Sequence, residues 1–243
     1  GGTRHLIHGS TIHGAQIRDG RRDLTPAAYY SPDGPAGDIM RQAGNRVAVV
    51  GLGTGAMACY ARPNQEWMFF EIDPLVERIA RDPNLFTYLD GCLPDVRVVI
   101  GDARVRLEGV PDGTYSTLVI DAFNSDAIPV HLLTEEALRL YVRKLAPGGL
   151  VALHVSNRHL ALEPVLQRIA ADLGLAARAR GDDGDGPEHL GSNWVVVARS
   201  SQDLGVIGGL PDWMPLEEGD VSLWTDDYAN VLGALMATRS GGE

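Results

Sequence analysis

Four short apolar segments of the chain each end at a glycine or an acidic residue, and this recurrence constrains the fold most strongly. The segments are Arg46–Val50, 67–70, 98–100 and 118–120. The residues at or just beyond their ends are Gly51, Glu71, Asp102 and Asp121. Helix-like segments alternate with these strands over short connections, which predicts an α/β doubly wound sheet. Because ligands of such sheets lie outside the carboxyl ends of the strands, we expect these four residues to form one site.

Length, hydropathy and charge exclude some classes of function. A chain of 243 residues can form one large domain with a small appendage. No apolar run approaches the roughly 18–20 residues that a membrane-spanning helix needs, and the expected location is the cytoplasm. The formal net charge of −11 argues against a nucleic-acid partner, because phosphate backbones select basic surfaces.

Cysteine and histidine usage predicts neither a disulfide framework nor a metal site. The two cysteines, Cys59 and Cys92, fall on a predicted helix and a loop, which favours a reducing compartment. His5, His8 and His13 lie close together, but the alternation of a β-hairpin explains them equally well. The chain begins with two glycines rather than methionine, which is expected of a trimmed chain or of a piece of a longer protein.

The remaining elements are read from periodicity and from residues typical of element ends. Residues 3–18 predict a hairpin that turns at Gly9. Thr134 is expected to cap a helix that Pro147 ends, with a strand following at 149–156. A second amphipathic helix stops at Gly174. Two further strands are expected near 175–180 and 193–198, separated by a glycine- and aspartate-rich turn or mobile loop at 181–187.

The turn after the first strand predicts a nucleoside site. Its residues Gly51, Gly53, Thr54 and Gly55 bring the backbone close to a ligand, and the next helix is expected to point N–H groups there. Glu71 follows Gly51 by 20 positions and can accept both ribose hydroxyl protons. This turn also fits G-x-G-x-x-A, so a nicotinamide dinucleotide stays a competing ligand.

Two features favour an adenosyl-sulfonium ligand over a nicotinamide dinucleotide. Asp102 is well placed to meet an adenine amino group, although it would equally cap the helix that starts near Ala103. The segment 145–150 resembles the turn before the fifth strand of S-adenosylmethionine-dependent methyltransferases. The expected ligand is therefore decarboxylated S-adenosylmethionine or S-adenosylmethionine.

Together, the hairpin, the glycine turn and the acidic strand ends resemble the spermidine synthase (polyamine aminopropyltransferase) family over residues 3–200. That resemblance implies an N-terminal β-hairpin region at 1–30. It also implies a Rossmann-like nucleoside-binding catalytic domain of the S-adenosylmethionine-dependent methyltransferase type at 31–243. The segments 70–73 and 101–103 are similar to the family's V-E-I-D and G-D-A/G signatures. They place Glu71, Asp102 and Ala103 at the nucleoside, and the family's hairpin segment adds Gln16.

The segments 121–134 and 224–230 of the chain resemble, more specifically, one branch of spermidine-synthase-like proteins. In that branch the catalytic domain is often fused behind membrane-spanning segments, which implies fusion to, or contact with, a membrane domain. The hairpin of the resembling family often mediates pairing, so a homodimer is a modest expectation.

The resemblance implies transfer of an aminopropyl group from decarboxylated S-adenosylmethionine to an amine such as putrescine, releasing methylthioadenosine. Asp121 is the expected base that deprotonates the amine, aided by a hydroxyl of Tyr29 or Tyr30. The candidates for binding the rest of the substrate are Asp126, His154, Asn157, Asp226 and Asp227. Capping of nearby turns or helices explains the three aspartates equally well, and a core position explains His154.

Two departures from the family keep other functions open. Thr54 stands where the family has an aspartate that holds the aminopropyl amine, and Thr54 has no charge. The nearest acid after Asp121 is Asp126, five positions on, where the family has one three positions on. The competing functions are an S-adenosylmethionine-dependent methyltransferase and a non-catalytic nucleoside- or polyamine-binding regulatory domain.

Overall fold

The computed structural model describes residues 2–9, 11–122, 129–156, 160–186, 188–231 and 234. Two residues that the sequence predicts at the substrate, Asp126 and Asn157, lie outside the described residues. The strands are β1 Gly2–His8, β2 Thr11–Arg18, β3 Arg46–Val50, β4 Glu66–Glu71, β5 Arg97–Ile100, β6 Tyr115–Ile120, β7 Leu145–His154, β8 Ala176–Gly186 and β9 His189–Ala198. The α-helices are α1 Pro35–Arg41, α2 Pro74–Arg81, α3 Tyr88–Cys92, α4 Ala103–Glu108, α5 Glu135–Lys144 and α6 Leu162–Asp172.

Strands β3 to β9 form a seven-stranded sheet in the order β5-β4-β3-β6-β7-β9-β8. Strands β5, β4, β3, β6 and β7 pair in parallel, whereas β9 is antiparallel to both β7 and β8. The chain runs outward from β3 to β5 on one side and resumes with β6 on the other. The predicted doubly wound sheet is therefore confirmed, and its topological switch point lies between β3 and β6.

Strand β3 shows why the central strands are continuously apolar in sequence. Val47 and Val49 pack into the core on one face of the sheet, while Ala48 and Val50 pack into the core on the other. All four are 2% exposed or less. A strand that is buried on both faces needs apolar residues at every position, and this keeps the polar residues at the strand ends.

Helix α5 begins and ends close to where the sequence predicts. The Thr134 hydroxyl accepts the backbone N–H of Ala137, so the predicted cap is confirmed. The following strand starts earlier than predicted, at Leu145 rather than Gly149. It does so because Tyr115 of β6 already pairs with Leu145, ahead of an irregularity in the register.

The expectation of a turn or mobile loop at 181–187 is wrong for most of that segment. Strand β8 continues to Gly186, and its outer part pairs with β9, for example Asp182 with Ser192. His189 Nε2 lies 2.7 Å from Oδ2 of Asp182. Cross-strand pairing outweighs the turn-forming tendency of glycine and aspartate here.

The predicted pair of unlinked thiols is also wrong, because Cys59 and Cys92 form a disulfide. Their Cα atoms are 5.0 Å apart, within the range that a disulfide can bridge. The bond joins the 3₁₀ helix Ala56–Tyr60, which follows the glycine turn, to the end of α3. It closes a loop across a sequence separation of 33 residues.

Reduction of this disulfide is expected to lower the free energy of unfolding by about 3–4 kcal/mol, the chain-entropy value for a loop of this length. Chemical denaturation with and without a phosphine reductant measures the difference. A Cys59→Ser/Cys92→Ser double variant is the control and should not respond to reductant. Two reactive thiols in the unfolded, unreduced protein would contradict the prediction.

The hairpin of β1 and β2 packs on the glycine turn and on α3. Gln16 is fully buried, and its side-chain amide donates to the Asp23 carbonyl at 2.6 Å and to Thr87 Oγ1 at 2.7 Å. The backbone N–H of Thr87 donates back to Gln16 at 3.0 Å. Tyr88 donates its hydroxyl to the Ala15 carbonyl. The division of the chain at residue 30 stays a prediction.

Among the described residues, the helices are too short or too polar to cross a membrane.

Candidate nucleoside site

The carboxyl ends of β3, β4, β5 and β6 meet at one edge, as predicted. The backbone N–H of Gly51 donates to Phe70, that of Gly101 to Glu71, and that of Asp121 to Val50. Gly51 has φ +96°, and a Cβ there would lie 2.1 Å from the Asp121 carbonyl oxygen. Only glycine allows the two central strand ends to approach this closely at the switch point.

Glu71 fastens the glycine turn to the end of β4. The backbone N–H of Leu52 donates to one carboxylate oxygen at 2.9 Å, and that of Asp73 donates to the other at 3.0 Å. The residue is 8% exposed. Each oxygen keeps a lone pair beyond these bonds, so the carboxylate can still accept a ribose hydroxyl proton.

Ile72, the next residue, is a candidate that the sequence reasoning missed. It is 69% exposed although it follows directly after the buried end of a central strand. An apolar side chain beside an acid at this edge suits the flat face of a nucleobase. The signal was present in the segment 70–73, where one apolar residue separates two acids.

The glycine turn is packed against the hairpin. Thr54 is fully buried, and its Oγ1 has no hydrogen-bond partner among the described residues. A Cβ on Gly14 would lie 2.7 Å from that oxygen, and a Cβ on Gly53 would lie 2.6 Å from the His13 carbonyl. The side chain of Thr54 therefore lies under the hairpin strand and brings no charge to the site.

The element after the turn is shorter than predicted. Instead of an α-helix, the chain forms the 3₁₀ helix Ala56–Tyr60, preceded by Gly55 at φ +83°. Pro63 and the left-handed Asn64 follow almost at once and prevent a longer helix. This short helix offers fewer aligned N–H groups than the sequence reasoning assumed.

Asp102 caps α4, so this alternative is confirmed. One carboxylate oxygen accepts the backbone N–H of Val105 at 3.2 Å, and the other lies 3.2 Å from His131 Nε2. Ala103, the first residue of α4, is 7% exposed. Contact of Asp102 with an adenine amino group stays a prediction, and the two roles are compatible.

Asp121 is bonded on both carboxylate oxygens by side chains from other elements. The Tyr30 hydroxyl donates to Oδ2 at 2.7 Å, and His154 Nδ1 lies 2.7 Å from Oδ1. The side chains of Asp121 and His154 are each 8% exposed. Burial, followed by the Asp121 charge, raises the pKa of Tyr30 well above its ordinary value of 10. Tyr30 therefore stays protonated at neutral pH and acts as a donor to the carboxylate.

His154 lies in the core and bonds to the site at the same time. Its Nε2 lies 2.7 Å from Ser156 Oγ, and its ring stacks on Trp194 with centroids 4.7 Å apart at 14°. The ring centroid of Tyr29 is 5.3 Å away. The interpretation of His154 as a core residue is therefore confirmed, and its contact with a substrate stays a prediction.

Gln16 and Asp226 bond to partners outside this cluster. The Gln16 amide is engaged with Asp23 and Thr87. Asp226 accepts two hydrogen bonds from Arg104, both 2.7 Å, and one from Thr134. Arg104 contributes most to lowering the pKa of Asp226 below its ordinary value. Asp227 is exposed. Ligand contacts of these three residues stay predictions.

A cavity of about 690 Å³ runs along β4 from Glu66 to Phe70. Arg46, Glu66 and Arg97, which begin β3, β4 and β5, are among its lining residues. Gly51, Glu71, Asp102 and Asp121 are not among them. The cavity is therefore separate from the candidate site.

The sheet order, the antiparallel strand β9 and the polar edge at the switch point define a methyltransferase-type Rossmann domain with an added hairpin, as predicted. Comparison with known structures agrees with this fold. A structure described as a probable spermidine synthase from Corynebacterium glutamicum superposes with a TM-score of 0.62 at 17% identity, covering 90% of this chain and 87% of that one.

Sequence comparison confirms the resemblance to spermidine-synthase-like proteins. The chain is 31% identical over 121 residues to a polyamine aminopropyltransferase of Vibrio vulnificus, covering 48% of this chain and 39% of the relative. It is 38% identical over 88 residues to polyamine aminopropyltransferase 2 of Streptomyces coelicolor, covering 35% and 16%. The chain thus matches less than half the length of either relative. No family model matches.

Proposed function

We propose that this chain transfers an aminopropyl group from decarboxylated S-adenosylmethionine to an amine and releases methylthioadenosine. The observation that carries the proposal is the Asp121 carboxylate, which is buried, bonded on both oxygens and adjacent to the glycine turn. The names of the sequence relatives support the same reaction.

The proposed chemistry needs an amine that has lost a proton. An alkylamine has a pKa near 10.4 and arrives as an ammonium ion at neutral pH. One lone pair on each Asp121 oxygen stays available beyond the bonds to Tyr30 and His154, so the carboxylate can accept that proton. The amine nitrogen then forms a bond to the carbon beside the sulfonium. The C–S bond breaks, its electron pair stays on sulfur, and the neutral thioether leaves.

The nucleoside part of the donor is assigned to the edge formed by β3, β4 and β5. Glu71 is assigned to the ribose hydroxyls, Ile72 to a face of the adenine, and Asp102 to the adenine amino group. The carboxylates of Glu71 and Asp102 keep acceptor lone pairs beyond their bonds within the chain, and Ile72 keeps exposed apolar area.

A methyltransferase is the second candidate, and Thr54 favours it. An aminopropyl donor brings an ammonium group that is best held by a carboxylate. Thr54 is uncharged, and its side chain lies under the hairpin strand instead. Ordinary S-adenosylmethionine has a carboxylate of its own beside its amine, so it depends less on an acid at this position.

The identity of the nucleoside product separates these functions. The protein is incubated with S-adenosylmethionine or its decarboxylated form together with putrescine or other short diamines, and the nucleosides are identified by mass spectrometry. Methylthioadenosine from the decarboxylated donor, dependent on the amine, is the expected result. S-adenosylhomocysteine would replace the proposal by methyl transfer. Measurable binding of methylthioadenosine without turnover would indicate a non-catalytic binding domain.

A further inference from the structure

We propose that His154 is a positioning residue for Asp121. Its Nδ1–H donates to the carboxylate and holds it in place. The kinetic part of this inference rests on the proposed function. The hydrogen-bond arrangement on which it is built does not.

The direction of each hydrogen bond around His154 follows from the Asp121 carboxylate. An ionised carboxylate can only accept, so His154 Nδ1, which lies 2.7 Å from Asp121 Oδ1, carries the ring proton. In the neutral ring Nε2 is then an acceptor, and the Ser156 hydroxyl, 2.7 Å away, donates to it. The backbone N–H of Asn193 donates to the same Ser156 oxygen at 2.8 Å.

The strands leave the ring little freedom to turn. His154 is the last residue of β7 and pairs with Trp194 of the antiparallel strand β9. The Trp194 indole stacks on the imidazole, and the backbone N–H of Val155 donates to Asn193 at 2.8 Å. These contacts fix the ring plane, and the ring plane fixes where the Asp121 carboxylate accepts its hydrogen bond.

This orientation prevents His154 from relaying the substrate proton. A proton on Asp121 cannot pass to Nδ1, because that nitrogen already carries one. The proton from the amine therefore stays on Asp121 until it is lost from the carboxyl group. The role left to His154 is to orient the carboxylate.

The tautomer is tested on the resting protein, without any assay of activity. Nitrogen-15 NMR of histidine-labelled protein, assigned with a His154→Asn variant, is expected to show a protonated Nδ1 and an unprotonated Nε2 at pH 8. In Ser156→Ala the preference for this tautomer should weaken. A ring with its proton on Nε2 in the wild-type protein would overturn the inference, whether or not the proposed reaction occurs.

Two substitutions then test the positioning. The His154→Asn amide places an N–H donor near the position of Nδ1, so this variant should keep kcat within about fivefold. His154→Gln reaches towards Ser156 instead and should lower kcat by roughly 50-fold with little change in KM. His189→Asn, at the start of β9, is the control and should have the kcat and KM of the wild type.

The kinetic outcomes are decisive in both directions. Equal kcat losses in the Asn and Gln variants would overturn the proposed role. A wild-type protein without aminopropyl turnover would count against the proposed function alone, because the NMR result stands independently of it.

Discussion

Replacing Asp121 by asparagine is expected to lower kcat for aminopropyl transfer by about 100- to 1,000-fold, the usual contribution of a general base. The change is nearly isosteric, and the asparagine oxygen can still accept one of the two hydrogen bonds that Asp121 receives from Tyr30 and His154. The amide cannot take a proton from the amine. Steady-state rates of methylthioadenosine release, measured with saturating amine, provide the test.

The nucleoside half of the site should survive this substitution. Affinity for methylthioadenosine, measured by calorimetry, should stay within about threefold, because interactions that serve only the transition state do not alter ground-state binding. Asp172→Asn, at an exposed position at the end of α6, is the matched control and should have wild-type kcat. Activity of Asp121→Asn close to that of the control would remove Asp121 as the base. Raising the pH towards the pKa of the amine should partly restore the activity of this variant, because more of the amine then arrives without the proton that Asp121 removes.

The edge of the sheet could be predicted because its signals are local. Each of Gly51, Glu71 and Asp121 directly follows an apolar segment, and parallel strands bring their carboxyl ends together. The resemblance in the segments 70–73 and 101–103 then narrowed the ligand class. None of these steps needs knowledge of which side chains touch.

The network around Asp121 could not be predicted in the same way. Its geometry depends on the register between β7 and β9, which places Trp194 beside His154 and the N–H of Asn193 beside Ser156. The Cys59–Cys92 bond and the pairing of Arg104 with Asp226 likewise join residues far apart in sequence. Residue type alone does not reveal such partners, so the sequence leaves Asp226 open between a substrate contact and a helix cap and predicts two unlinked thiols.

Replacing Gly51 by alanine is expected to lower the free energy of unfolding more than reduction of the disulfide does. A Cβ would lie 2.1 Å from the Asp121 carbonyl oxygen, and an alanine at φ +96° is itself strained. The overlap is with backbone, which cannot move aside as a flexible side chain would. Strain of about 1–3 kcal/mol and overpacking of a similar size together predict a loss of about 4 kcal/mol.

Gly174→Ala separates the clash from the strain. Gly174 has φ +64°, and a Cβ there would have nothing within 4 Å, so only the backbone term applies. This control should lose about 1–2 kcal/mol. Urea unfolding, followed by circular dichroism, measures the free energy of unfolding of both variants. Equal losses would show that the ends of β3 and β6 do not approach closely at Gly51. If the Gly51→Ala protein still folds, β3 and β6 must have moved apart, and Asp121 should be displaced. Both the free energy of unfolding and the rate of aminopropyl transfer should then be lower than in the wild type.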